Sequence, residues 1–248
     1  MRVLNRLVLK LRQWSRPRVA ILGGFRCGTN YLKYLLEVNY HVSAEFSPYG
    51  WKHGGVPVFN VGSALRYARV PIVYSCKNPY AFVVSLYQYS QLRDGLTTYD
   101  SLGQFLRSPL VMSCIETDGS PELRFSNPIQ YWNYLYWNLE SLSSDRFTAI
   151  GVNYDDLISD TGRLELIADT LGLKRRRSRL VQPAKKLTRE SGRYTQFLDQ
   201  RHQTEEQFDA GYYYLDRRYL NELTSEQVDF IGTEVDPWVM TRRGYTRL

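Results

Sequence analysis

The sequence predicts an α/β protein: a single domain with three layers, in which a central parallel sheet lies between two layers of helices. Three short runs of β-branched and apolar residues alternate along the chain with segments of helical periodicity. Strands that alternate with helices pair in parallel through right-handed crossovers, so the helices cover both faces of the sheet. A length of 248 residues with 43% hydrophobic residues is enough for one such domain with a buried core.

The elements follow in order along the chain. The predicted strands are 18–22, 70–76 and 147–152. The predicted helices are 30–40, 80–91, 128–143, 162–171 and 225–240. Pro79 suits a first helical turn, whereas Pro237 predicts a kink near the end of the last helix. We therefore assign residues 18–248 to the domain, with 174–201 as a basic lid or mobile excursion.

Composition excludes several classes of protein. Three cysteines without CxxC spacing and three histidines without a ligand pattern argue against a disulfide framework and against a metal site. No apolar run approaches the ~18–20 residues that span a bilayer. The first residues contain several arginines and no small-residue cleavage site, so they make a poor signal peptide. The protein is therefore predicted to be cytoplasmic, a location that includes the inner face of the membrane.

Positive charge is concentrated in two stretches of the chain. Residues 2–18 contain six basic and no acidic side chains, and residues 163–201 contain eleven basic and four acidic ones. Such concentration predicts anionic partners at two surfaces. Residues 1–17 also predict a basic amphipathic helix, because apolar residues recur at helical spacing: Leu4, Leu7, Val8, Leu11 and Trp14. This helix either packs on the protein's own core or contacts an anionic membrane weakly through residues 2–16.

A glycine-rich segment between the first strand and the first helix predicts a phosphate-binding loop, residues 23–30. Gly23 and Gly28 have the spacing of the pattern GxxxxGK[ST], whose backbone N–H groups surround a phosphate. The lysine of that pattern is replaced by Thr29 and the following Ser/Thr by Asn30, which disfavours an ordinary ATPase or kinase. Arg26 supplies a cation inside the loop instead.

The same loop contains a cysteine, Cys27, which raises the alternative of a cysteine phosphatase. Such an enzyme needs an arginine six residues after its nucleophile, and that position is Lys33. We expect Cys27 to contribute its backbone N–H group only.

A second segment follows the second strand and has the sequence KNPYAFVVSLY, residues 77–87. It resembles the RNPxDxxxSxY segment of the PAPS-dependent sulfotransferase superfamily, in which PAPS is 3′-phosphoadenosine 5′-phosphosulfate. The resemblance implies that Lys77 and Ser85 bind the 3′-phosphate. Lysine in place of the usual arginine gives a point charge rather than a bidentate fork.

The phosphate-binding loop is similar to the 5′-phosphosulfate segment of the same superfamily, commonly P-[KR]-S-G-T-[TN]-[WFY]. This similarity implies contacts to the nucleotide from the loop residues Arg26, Cys27, Gly28, Thr29, Asn30 and Tyr31. Tyr154, in a segment that resembles YEDL, is implied near the adenine. The RKGxxG lid of many relatives is absent, and the basic stretch around Arg189 and Arg193 is expected to replace it.

The resemblance also implies a catalytic base. Cytosolic relatives carry a Lys-x-His element before the 3′-phosphate segment, and here Lys52 and His53 are adjacent. A histidine of pKa ~6.5 suits proton removal from an acceptor hydroxyl, while Lys52 and Arg26 stabilise the moving charge. Other branches use glutamate, so Glu45 and Glu37 stay open.

Together these segments imply a bacterial-type or carbohydrate-type sulfotransferase of P-loop NTPase-like fold, with PAPS as donor, no metal, and an acceptor hydroxyl on a glycan or polysaccharide precursor. The alternatives are a P-loop nucleotide kinase or hydrolase and a non-enzymatic basic protein that binds nucleic acid. We expect no nucleic-acid partner, because no helix-turn-helix, zinc-finger or RNP pattern occurs.

Overall fold

The computed structural model describes residues 16–54, 70–92, 99–112, 122–142, 148–182, 187–190, 193–196 and 211–248. Its strands are β1 (Arg18–Gly23), β2 (Ser43–Glu45), β3 (Ile72–Cys76), β4 (Leu110–Met112), β5 (Leu123–Phe125), β6 (Ala149–Asn153), β7 (Leu187–Glu190) and β8 (Arg193–Gln196). Its α-helices are α1 (Thr29–Asn39), α2 (Pro79–Leu92), α3 (Leu102–Arg107), α4 (Pro128–Ser141), α5 (Tyr154–Ser159), α6 (Gly162–Thr170), α7 (Ser225–Glu234) and α8 (Pro237–Arg243).

The central sheet contains four parallel strands in the order β2-β1-β3-β6. Along β1, Val19 and Ile21 pack on one face of the sheet, whereas Ala20 and Leu22 pack on the other. Helices α1, α5 and α6 cover the first face, and α2, α4, α7 and α8 cover the second. The predicted three-layer α/β architecture with a central parallel sheet is therefore confirmed.

Two features of the chain differ from the sequence prediction. The last helix is interrupted, because Val235 is extended and Asp236 caps a new helix that has Pro237 in its first turn. Pro237 thus begins α8 instead of bending one long helix. The short elements β2, α3, β4 and β5 were not predicted, since three to six residues carry too little periodicity to be recognised.

The predicted N-terminal helix lies almost wholly outside the described residues, which begin at Arg16. No helix in the described ranges is long and apolar enough to cross a membrane.

Candidate functional site

The phosphate-binding loop connects the carboxyl end of β1 to α1. Gly28 has φ 80° and would place a Cβ 2.3 Å from the ring of Tyr154, so only glycine fits there. Arg26 also has a positive φ, 60°, which non-glycine residues adopt mainly in tight turns. The loop therefore folds back sharply and brings the first turn of α1 to the edge of the sheet, where its unpaired N–H groups favour an anion.

Cys27 is fully buried within this loop. Its N–H donates to the Gly24 carbonyl at 3.3 Å, so the group expected to bind a phosphate already has a partner inside the loop. Burial raises the pKa of the thiol, with the charge of Lys77 acting against the shift. A buried, protonated thiol is a poor nucleophile, which disfavours the cysteine-phosphatase alternative.

Arg26 forms no ion pair among the described residues. Its Nε is buried without a hydrogen-bond partner among the described residues, and the guanidinium lies 5.2 Å from the centroid of the Tyr89 ring. A buried guanidinium N–H that lacks a partner costs free energy until an acceptor arrives. Arg26 is therefore suited to receive an anionic ligand.

Lys77 is a buried lysine just beyond β3, with only 3% of its surface exposed. Its Nζ donates to Ser85 Oγ at 3.3 Å and to the Tyr214 hydroxyl at 3.0 Å, and these two oxygens are 3.2 Å apart. The structure therefore brings Lys77 and Ser85 together, as their spacing along the chain predicts. The hydrogen bonds of the ammonium go to two hydroxyls, so neither of these hydrogen-bond partners is an acid.

Tyr214 is a site residue that sequence reasoning missed. It belongs to a π-helical turn, Gly211–Leu215, and its ring centroid lies 4.3 Å from Lys77 Nζ. Burial raises the pKa of Tyr214, but the charge of Lys77 and the hydrogen bonds from Ser85 and Lys77 outweigh burial, so the net pKa is lowered. No motif marks it, because it stands in a run of three tyrosines far along the chain.

Tyr154 lies between the loop and Lys77. Its ring packs on Gly28 of the loop, and its centroid is 4.7 Å from Lys77 Nζ. Tyr31 meets it edge to face with centroids 5.9 Å apart. Tyr31, expected to contact the nucleotide, and Tyr154, expected near the adenine, therefore lie side by side.

His53 and Lys52 lie against the beginning of the phosphate-binding loop. The Gly23 N–H donates to the Lys52 carbonyl at 3.0 Å, and His53 Nδ1 lies 2.6 Å from the Gly23 carbonyl. Because a carbonyl only accepts, Nδ1 carries the proton and Nε2 of the neutral ring is the basic atom. Lys52 Nζ reaches Asn30 Oδ1 at 3.4 Å, on the first turn of α1.

The environment of His53 lowers its basicity. Burial and the charge of Lys52 lower the pKa of His53 to about 3. The hydrogen bond to Gly23 acts in the opposite direction but is a smaller effect. The Phe25 ring stacks on the imidazole at 4.0 Å between centroids. The ordinary pKa near 6.5 expected from the sequence is therefore wrong for this ring, which is neutral at physiological pH.

The alternative carboxylates are engaged in ion pairs. Glu45 lies beside Ala20 in the sheet and accepts from Arg18 Nε at 2.8 Å, which lowers its pKa. Glu37, near the far end of α1, pairs with Lys33 at 2.6 Å. Neither carboxylate contacts the loop.

One carboxylate at the site was not singled out from the sequence as functional. Asp155 follows Tyr154 directly, and its Oδ1 is buried without a hydrogen-bond partner among the described residues. Burial raises the pKa of Asp155 to about 6, although the charge of Lys77 opposes the shift. Among the described residues, no group of three or more His, Cys, Asp or Glu is arranged to hold a metal ion.

The basic stretch expected to form a lid, residues 174–201, contains separate described parts, which differ in structure. Residues 174–181 are held at the end of α1, at the opposite edge of the sheet from the loop, so this part is no lid over the nucleotide. Arg189 and Arg193 lie in the antiparallel pair β7 and β8, paired with Tyr194 and Glu190. The structure describes only the backbone of these two arginines, so their contact with the nucleotide stays a prediction.

No family model matches the chain, and no curated protein matches it. Among solved structures, the chain is similar to a mouse sulfotransferase complexed with PAP, at 15% identity and a TM-score of 0.43. The similarity covers 63% of this chain and 58% of the mouse chain, so this chain spans less than two thirds of that protein. A likeness at this level does not extend to activity or substrate.

Proposed function

We propose that this protein is a PAPS-dependent sulfotransferase. The observation that carries the proposal is the buried pair of Lys77 and Ser85, 3.3 Å apart, beside a phosphate-binding loop that lacks the lysine of NTPases. A nucleotide with phosphates on both its 3′ and 5′ positions needs two separate anion sites joined by an aromatic surface. Tyr154, which contacts Gly28 and covers Lys77, supplies that surface.

Each group has a role that follows from its charge. Lys77 and Ser85 hold the 3′-phosphate through charge-assisted hydrogen bonds, one from an ammonium and one from a hydroxyl. Arg26, Thr29, Asn30 and the N–H groups at the start of α1 hold the 5′-phosphosulfate. The unpartnered Arg26 Nε fits this assignment, because an anionic oxygen satisfies it.

Bound PAPS supplies a sulfuryl group whose bond to the bisphosphate breaks as an acceptor oxygen bonds to the sulfur. His53 Nε2 accepts the proton of that acceptor hydroxyl, while Nδ1–H stays bonded to the Gly23 carbonyl and fixes the ring. Lys52 and Arg26 place positive charge near the transferred group, which stabilises the charge that develops in the transition state.

The acceptor is proposed to be a hydroxyl of a glycan or polysaccharide precursor, and the enzyme is proposed to act in the cytoplasm. The support is the basic N-terminal segment, residues 2–16, which suits weak contact with a membrane that carries a lipid-linked acceptor. A phenol or a peptide tyrosine is the competing acceptor.

Two measurements test the proposal. Calorimetry is expected to show that adenosine 3′,5′-bisphosphate binds more tightly than AMP or ATP·Mg²⁺. Incubation with ³⁵S-labelled PAPS and a panel of sugars, phenols and tyrosine peptides then identifies the acceptor. Tighter binding of ATP·Mg²⁺ would instead support a nucleotide kinase or hydrolase.

A further inference from the structure

A second basic surface lies far from the nucleotide site, on residues 174–181, which we name the basic arch. The arch carries five cationic side chains and is exposed from residue 174 to 179: Lys174, Arg175, Arg176, Arg177 and Arg179. Helix α1 begins at the phosphate-binding loop and ends at Asn39, next to the arch. Eleven residues at ~1.5 Å each separate the two sites by about 16 Å.

The arch is fixed at its far end by one buried side chain and at its near end by backbone hydrogen bonds. Asn39, which is 0% exposed, donates from Nδ2 to the Val181 carbonyl at 2.9 Å and accepts at Oδ1 from the Val181 N–H at 2.7 Å. Its own carbonyl accepts from the Arg176 N–H at 2.7 Å. At the near end, the His41 N–H donates to the Lys174 carbonyl at 2.8 Å. The arginines therefore stand on an anchored backbone rather than on a free tail.

Like charges are crowded on this surface. Partial burial and the neighbouring charges of Arg16 and Arg177 lower the pKa of Arg176, with Glu37 acting in the opposite direction. Glu165 pairs with Arg175 at 2.5 Å, and Glu37 pairs with Lys33. Of the six cations, counting Arg16, Arg175 is paired with Glu165, whereas Glu37 is already paired with Lys33. An anionic surface that covers these cations therefore lowers the free energy of the system.

Arg16 and Pro17, the first described residues, lie on the same face. The Ser43 N–H donates to the Pro17 carbonyl at 2.8 Å, which fixes Arg16 beside the arch. The preceding residues contain four more basic side chains and an apolar series that ends at Trp14. A nucleic acid would use the cations alone, whereas a bilayer surface uses both the cations and the apolar residues.

We infer that the basic arch, together with Arg16, is a docking surface for anionic phospholipid headgroups, with the nucleotide site at the opposite edge of the sheet. This inference is independent of the proposed activity, because vesicle binding does not require sulfuryl transfer.

The experiment is co-sedimentation of the full chain with vesicles of phosphatidylglycerol and phosphatidylcholine, and with phosphatidylcholine alone. The double variant Arg176→Ala/Arg177→Ala should bind anionic vesicles at least about tenfold more weakly, since each cation at a membrane surface contributes roughly a fivefold factor. The matched control is Arg107→Ala/Arg124→Ala, which removes the same charge from exposed ion pairs elsewhere. The control should bind as the wild type does.

Three results would overturn the inference: no binding to anionic vesicles, equal loss in both double variants, or unchanged binding in Arg176→Ala/Arg177→Ala. The third result would place the contact in residues 2–16 alone. A single-stranded RNA that binds the chain while anionic vesicles do not would assign the arch to nucleic acid instead. Binding that weakens steeply with added salt is the expected companion result.

Discussion

The ammonium group of Lys77 lies 3.0 Å from the phenol oxygen of Tyr214, a residue 137 positions later in the chain. The same oxygen is 3.2 Å from Ser85 Oγ, so the three polar groups meet at one point. On the proposed function, a 3′-phosphate bound by Lys77 and Ser85 would compete with this hydroxyl for the ammonium.

Removing the Tyr214 hydroxyl is expected to tighten nucleotide binding. Tyr214→Phe eliminates one charge-assisted hydrogen bond that the phosphate must replace, which is worth about 1–2 kcal/mol. Calorimetry with adenosine 3′,5′-bisphosphate should show affinity raised about 5- to 30-fold. Tyr213→Phe is the control, because its hydroxyl bonds Glu222 and not Lys77. Weaker binding in Tyr214→Phe would mean that the phenol is itself a phosphate ligand.

Lys77→Ala is expected to weaken the bisphosphate by about 1.5–3 kcal/mol, since it removes a charge-assisted hydrogen bond in a buried site. Adenosine 5′-phosphosulfate, which lacks the 3′-phosphate, should bind the variant and the wild type almost equally. Calorimetric titration of both ligands makes the comparison. Equal losses of affinity for the two ligands would show that Lys77 does not bind the 3′-phosphate.

His53→Ala is expected to lower kcat by about 10², the low end of the usual range, with nucleotide affinity unchanged, because the proton acceptor is lost but a base of low pKa contributes less. The pKa of about 3 keeps the His53 ring neutral throughout the working range, so its protonation should not reduce kcat/KM between pH 5 and 8. Steady-state rates across that range test both statements. Lys52→Ala should slow the reaction through lost charge stabilisation.

His41→Ala serves as the control for His53→Ala, since His41 is exposed beyond the end of α1 and should be replaceable without effect on kcat. A His53→Ala variant with near-wild-type kcat would show that another group accepts the proton.

Asp155→Asn is expected to stabilise the protein at neutral pH. Because the folded-state pKa of about 6 exceeds the unfolded value near 3.9, the folded chain holds the proton more tightly, and stability is lost as pH rises from 4 to 6. Urea unfolding should show Asp155→Asn more stable than wild type by about 1–3 kcal/mol at pH 7.5, with a smaller difference at pH 4.5.

The control for this experiment is Asp156→Asn, whose more exposed carboxylate makes a long 3.7 Å ion pair with Arg163. Its free energy of unfolding should change by less than about 1 kcal/mol at either pH. A gain for Asp155→Asn that is the same at both pH values would contradict a buried carboxyl of raised pKa.

The sequence by itself determined the three-layer architecture and the positions of the phosphate-binding loop and of Lys77 and Ser85. These predictions depend on local patterns. The apolar strands end in glycine or in a basic residue, and Ser85, eight positions after Lys77, lies on the helix that follows. Parallel pairing then forces the ends of β1 and β3 to one edge of the sheet, because Gly23 and Ser75 share a register.

Only the tertiary structure decided the contacts that join distant segments. Tyr214 reaches Lys77 through a π-helical turn that no periodicity marks, and the arch returns to Asn39 across 142 positions. The pKa of His53 likewise depends on burial between Phe25 and Trp51, which the identity of the residue does not reveal. Desolvation and the distance to other charges depend on the folded environment of a side chain. The sequence therefore identifies the candidate groups, whereas the fold determines their pKa values and their hydrogen-bond partners.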